Sequence, residues 1–178
     1  MIAESWAFSR EAIAAGEVWR LVGASAAHLS WPHLATNLAV FAAALLLLRA
    51  TARATEVLGV LAACAIASTA CLYLGTSLDW YLGASGALYG LLVWGAPKLP
   101  MPAGTWLLIL LIANVVLDQG RTTSWLGEPL APQSHYWGLA CGLALALGSG
   151  WRALAARPPL LSRSATASRP MASRISAT

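Results

Sequence analysis

The chain reads as an all-α polytopic membrane protein, and three observations carry that reading. Charged residues make up 10% of its 178 residues and hydrophobic ones 58%, whereas a soluble domain carries about 25% charged residues. So little charge cannot cover a water-facing surface. This excludes a soluble enzyme, a disordered regulator and a nucleic-acid binder, despite the net charge of +4. Second, the apolar residues gather into five segments. Third, the charges sort by side when those segments are threaded through a bilayer in alternation.

Residues 1–26 are too polar to span and show no signal-peptide cleavage pattern; the sorting of charges by side reads them as an extracytoplasmic stretch. The transmembrane core, residues 27–151, holds the five segments: Leu34–Leu48, Val57–Leu74, Leu82–Ala96, Thr105–Leu117 and Ser134–Trp151. Several are shorter than the roughly 20 residues that cross an average hydrocarbon core. Five together in so uncharged a chain favour a bundle of short helices in locally thinned lipid. No strand alternation or longer repeat stands out. Residues 152–178 are rich in Arg, Ala, Ser and Pro and read as a flexible basic tail.

With alternate connections on one side, the first set is the loops after the first and third segments plus the tail. It holds Arg49, Arg53, Lys98, Arg152, Arg157, Arg163, Arg169 and Arg174 against Glu56 alone. The other set holds Arg10, Arg20 and Arg121 against Glu4, Glu11, Glu17, Asp79, Asp118 and Glu128. The positive-inside rule places the first set, and the C-terminus, in the cytoplasm. Trp31, Trp80, Trp106, Trp137 and Trp151 lie near segment ends, as interfacial anchors do.

Polar groups inside the segments are few and costly there, so each needs a reason. The first, third and fifth segments run outside to inside, and His33, Asn37, Ser85 and His135 all lie near their starts. Topology alone therefore brings them to similar depth near the extracytoplasmic face. His33 and Asn37 share a helix face, whereas His28 and His33, five apart, do not. Gly86 and Gly90, and Gly138 and Gly142, stand at the spacing that lets membrane helices approach closely. If those helices pack, Ser85 and His135 come within reach, and a serine hydroxyl needs such a base to act as a nucleophile.

Each piece also has a plainer reading. Serine and GxxxG pairs are routine at helix interfaces, Asn114 reads as interhelical glue, and Tyr89 and Tyr136 read equally as interfacial aromatics. A three-histidine metal site from His28, His33 and His135 lacks a helical pair and a carboxylate and ranks low, so no metal or cofactor is expected. Cys64, Cys71 and Cys141 read as small packing residues.

Together these residues resemble the rhomboid family of intramembrane serine proteases, over about residues 16–150. GEVWRL at Gly16–Leu21 resembles the family's Trp-Arg loop signature. His28, His33 and Asn37 match its HxxxxHxxxN, GASG at Gly83–Gly86 its GxSG, and His135 with Gly138 its last-helix motif. The compact size, the short segments and HLSWPHLATNL are similar to the rhombosortase branch. The resemblance implies Ser85 as nucleophile and His135 as general base, a dyad, with no carboxylate in the segments to serve as a third member. Tyr89 would support the His135 ring, His33 and Asn37 would donate to the oxyanion with the Ser85 N–H, and His28 would shape the loop. The implied partners are the lipid bilayer and single-pass membrane proteins bearing C-terminal Gly-Gly-containing sorting tags, in a bacterial inner membrane. A catalytically inactive relative that binds membrane helices, and a general rhomboid protease with other substrates, are the alternatives. The family core has six helices, the first preceding Trp19. Since every later motif is intact, that helix is expected upstream of a start assigned too far downstream; the alternative is that it is missing.

Overall fold

The computed structural model describes residues 4–124, 127, 129 and 131–155. Glu128 and the tail arginines Arg157, Arg163, Arg169 and Arg174 lie outside the described residues. The chain divides into two compact units, Met1–Leu147 and Gly148–Thr178.

Each of the five apolar segments is a helix: α3 (Trp31–Leu48), α4 (Ala54–Gly75), α5 (Ser85–Gly95), α6 (Ala103–Leu117) and α7 (Pro132–Ala155). The first starts where its sequence says it should. Ser30 is the N-cap, its side chain accepting the His33 N–H, and Pro32 occupies the first turn, where its missing N–H costs nothing. Among the described residues, α3 and α4 are long and apolar enough to cross a membrane, and α6 is a shorter apolar helix. Leu46, Leu47, Leu58, Ile66, Leu74, Ile109, Leu110, Ile112, Leu143 and Leu147 are all exposed. So many exposed large aliphatic side chains on four helices suit a surface that lipid tails cover. Helix α7 runs past Trp151 to Ala155, so the first residues of the expected flexible tail are helical.

The central element is the shortest of the five. Helix α5 has 11 residues, about 16 Å at 1.5 Å per residue, half a hydrocarbon core. Most of it is buried: Gly86, Ala87, Leu88, Gly90, Leu91, Val93, Trp94 and Gly95. Helices α3, α4 and α6 pack around it. Helix α7 closes the remaining side through glycines, since a Cβ on Gly138 would collide with the Gly86 carbonyl oxygen and one on Gly142 with that of Gly90. The expected helical segment Leu82–Ala96 is therefore corrected at its start: Leu82–Ala84 is a turn, and the helix opens at Ser85.

Residues 4–30 form a layer of short elements. They hold a 3-10 turn (Glu4–Trp6), strand β1 (Phe8–Ser9) and the short helices α1 (Arg10–Ala14) and α2 (Arg20–Gly23). Strand β1 pairs antiparallel with β2 (Trp80–Tyr81), Phe8 opposite Tyr81 and Ser9 opposite Trp80. This small sheet departs from the all-α expectation; two-residue strands are too short to leave an alternating pattern. Phe8, Ile13, Ala24, Leu72 and Tyr81 form its core. Arg10 fastens the layer to α4, donating to the carbonyls of Leu72 (3.0 Å), Tyr73 (2.6 Å), Thr76 (2.6 Å) and Leu78 (3.1 Å). A guanidinium there meets both the orphan carbonyls and the negative end of the helix dipole. Thr69 Oγ1 also donates to the Leu21 carbonyl. Arg20 bonds Glu17 at 2.7 Å and the Ala7 carbonyl at 2.9 Å, so the Trp-Arg segment braces this layer from within.

Candidate active site

The turn before α5 sets the site. Gly83 has φ +116°, a conformation that side chains with a Cβ rarely adopt. Its N–H donates to the Ala24 carbonyl at 2.8 Å, and its carbonyl accepts the buried Tyr81 hydroxyl at 2.7 Å. Burial pushes the Tyr81 phenol up, the direction that favours its protonated, donating form. The turn delivers Ser85 as the first residue of α5, where helix geometry leaves the backbone N–H without an intrahelical acceptor.

His135, in the second turn of α7, places Nε2 3.1 Å from Ser85 Oγ. The ring is buried and three sides of it are occupied. Tyr89, one turn along α5 from Ser85, stacks on its face with centroids 4.4 Å apart and planes 18° apart. Tyr89 in turn donates its hydroxyl to Asn114 Oδ1 of α6, so Asn114 joins α6 to α5. On the other edge, Nδ1 stands 3.6 Å from Oδ2 of Asp118, a buried carboxylate one residue past α6. That is ion-pair range rather than a hydrogen bond.

His33 and Asn37 flank the Gly83 turn. A Cβ on Gly83 would lie 2.9 Å from His33 Nε2 and 3.8 Å from Asn37 Nδ2. His28 lies before α3 rather than on it, so helix spacing does not govern it. Its ring packs edge-on to His33, centroids 5.0 Å apart. Its Nε2 contacts Asn37 Nδ2 at 2.9 Å and its Nδ1 the Ala26 carbonyl at 3.1 Å. Only one tautomer satisfies both: Nδ1–H donates to Ala26 and Nε2 accepts from Asn37. One amide hydrogen of Asn37 is thereby fixed, which aims the other. Gly86 and Gly138 meet where α5 and α7 cross. Among the described residues no group of three His, Cys, Asp or Glu is placed to hold a metal ion.

A cavity of about 430 Å³ takes in His33, Asn37, Ser85, Tyr89, His135 and Asp118. Asp118, a loop charge by sequence, lines this cavity beside His135. The signal in the sequence is its spacing from Asn114, four residues earlier, which puts it above Asn114 at the end of α6.

An apolar helical chain whose central helix opens at a serine bonded to a neighbouring helix's histidine is a membrane-embedded protein with a serine–histidine site. The match to known families is narrower. Residues 15–152 match the Rhomboid domain, and the chain belongs to the rhomboid family, whose members are in general intramembrane serine proteases. None of the curated proteins matches it.

Proposed function

We propose that this chain is an intramembrane serine endopeptidase that cuts membrane-anchored proteins near the extracytoplasmic face. The single observation that carries the reading is the 3.1 Å contact between His135 Nε2 and Ser85 Oγ, at the start of a buried helix and open to a cavity. Ser85 Oγ attacks the scissile carbonyl carbon as His135 Nε2 takes the hydroxyl proton. The oxyanion faces the Ser85 N–H, His33 and Asn37. The C–N bond then breaks as Nε2 passes the proton to the leaving amine. Water attacks the acyl ester, Nε2 taking a proton from it and returning one to Ser85 Oγ as the carboxylate product leaves. Donors fixed in a low-dielectric site contribute about 3–4 kcal/mol each to such a step.

The substrates are single-pass proteins with a C-terminal Gly-Gly-containing tag, and the setting is a bacterial inner membrane with the C-terminus cytoplasmic. Similarity of the compact core and the HLSWPHLATNL segment to rhombosortases supports the substrate class, and the distribution of basic residues supports the orientation.

The test is cleavage of a single-pass reporter in bacterial membranes, alongside labelling by a serine-directed fluorophosphonate. Wild type is expected to cleave and to carry one Ser85-dependent adduct. Ser85→Ala and His135→Ala are expected to lose cleavage by about 10⁴-fold or more while still expressed. A wild type that neither cleaves nor labels sinks the protease reading. Equal cleavage of a reporter lacking Gly-Gly sinks only the substrate class.

A further inference from the structure

We propose that Asp118 is the third member of the site, a positioning residue that holds the His135 ring in its working tautomer and faces the charge that forms on it. The inference rests on the protease reading above and deepens it. For His135 to accept a proton at Nε2, its own proton must sit on Nδ1. That nitrogen is buried and has no hydrogen-bond partner among the described residues. The polar atom facing it is Asp118 Oδ2, at 3.6 Å. A closure of less than about 1 Å makes this a hydrogen bond, and catalytic hydrogen bonds are commonly long before substrate binds.

The placement of Asp118 is not explained by the fold. It caps the C-terminus of α6, where a carboxylate meets the negative end of the helix dipole and is disfavoured. It is buried all the same, in an apolar protein where ionised groups need a partner. Arg121 gives half of one: its Nη1 lies 3.7 Å from Oδ1, and its side chain is half-exposed. That contact occupies one carboxylate oxygen and leaves Oδ2 facing the imidazole. The ring is then held on its face by Tyr89, on its Nε2 edge by Ser85 and on its Nδ1 edge by Asp118. When Nε2 takes the Ser85 proton, the imidazolium forms beside a carboxylate, the arrangement that stabilises it in serine hydrolases built on other folds.

The experiment uses the full chain in membranes with the same reporter and fluorophosphonate, comparing Asp118→Asn, Asp118→Glu and Arg121→Gln with wild type. Asp118→Asn presents an amide where the carboxylate was and favours the wrong tautomer. It is expected to lower kcat at least about a hundred-fold, with KM within about two-fold. Asp118→Glu is expected to recover part of the rate. A rate for Asp118→Asn within two-fold of wild type overturns the proposal, and so does an equal fall in Arg121→Gln, which would put the effect in the ion pair. Should Asp118→Asn fail to fold, ¹⁵N-histidine spectra of wild type in detergent decide, with His135 assigned by its loss in His135→Ala. A neutral ring protonated at Nδ1 is expected, and protonation at Nε2 overturns the proposal. Wild type that neither cleaves nor labels takes both readings down; wild type that does both, with Asp118→Asn unaffected, removes only Asp118.

Discussion

Gly83 carries two constraints that no other residue type satisfies together. Its φ of +116° is strained for any residue with a Cβ, and a Cβ there would sit 2.9 Å from two atoms of the His33 ring. Replacing it forces either the turn that delivers Ser85 or the donor beside it to move. Gly83→Ala is therefore expected to cost about 1–2 kcal/mol of stability and, separately, at least about a hundred-fold in cleavage rate, since displacements of 1 Å near reacting atoms cost that much. Thermal unfolding and reporter kinetics on the same preparation separate the two; full activity in Gly83→Ala would show that the turn does not position the site. Asn37→Ala tests the neighbouring donor. It is expected to lower kcat by about 10²–10³-fold, and His28→Phe, which removes only the acceptor that orients the amide, to act in the same direction and less. If His28→Phe lowers the rate more than Asn37→Ala does, the ring acts other than through Asn37.

Glycines in helices here divide into those that let two backbones meet and those that merely lack a side chain. Gly138 belongs to the first kind, because a Cβ on it would enter the Gly86 carbonyl. Gly59 of α4 belongs to the second, with nothing within 4 Å of its Cβ position. Gly138→Leu is expected to separate α5 from α7, pulling His135 from Ser85 and abolishing fluorophosphonate labelling. Gly59→Ala is expected to leave labelling intact and to add about 0.5–1 kcal/mol of stability through helix propensity. Loss of labelling in both would mean that packing density, not this crossing, controls the site. The five helices were legible because apolar runs and GxxxG spacing are local signals. The β1–β2 pair, the start of α5 and the Arg10 clasp on α4 were not, because each joins residues some 60–75 positions apart through backbone groups. Within the site, spacing puts His33 and Asn37 on one helix face, and alternation of the segments puts Ser85 and His135 at similar depth. Asp118 and the Tyr89–Asn114 bond could not be read this way, since they depend on how α6 lies against α5.

At the scale of the whole molecule, the proposed substrates require Ser85 to open toward the extracytoplasmic side, and the proposed orientation rests on charge. With the connections taken in alternation along the sequence, the set that includes the tail carries eight basic residues and one acid, whereas the set that includes the connection leading into α5 carries three and six. Basic residues are retained on the cytoplasmic side during insertion, so the Ser85 end should emerge outside. Lys98, past the far end of α5 from Ser85, holds its Nζ 4.3 Å from the Trp94 ring centroid, a cation on an aromatic face. Two exposed positions test the placement: Thr51, between α3 and α4, and Gln119, just past α6. With Cys64, Cys71 and Cys141 replaced by alanine, Gln119→Cys is expected to react with a membrane-impermeant maleimide in intact cells. Thr51→Cys is expected to react only after permeabilisation. The opposite pattern would turn the site toward the cytoplasm. The Ser–His geometry would survive that result, but the proposed substrates would not, because their tags would need to be cut on the other side of the membrane.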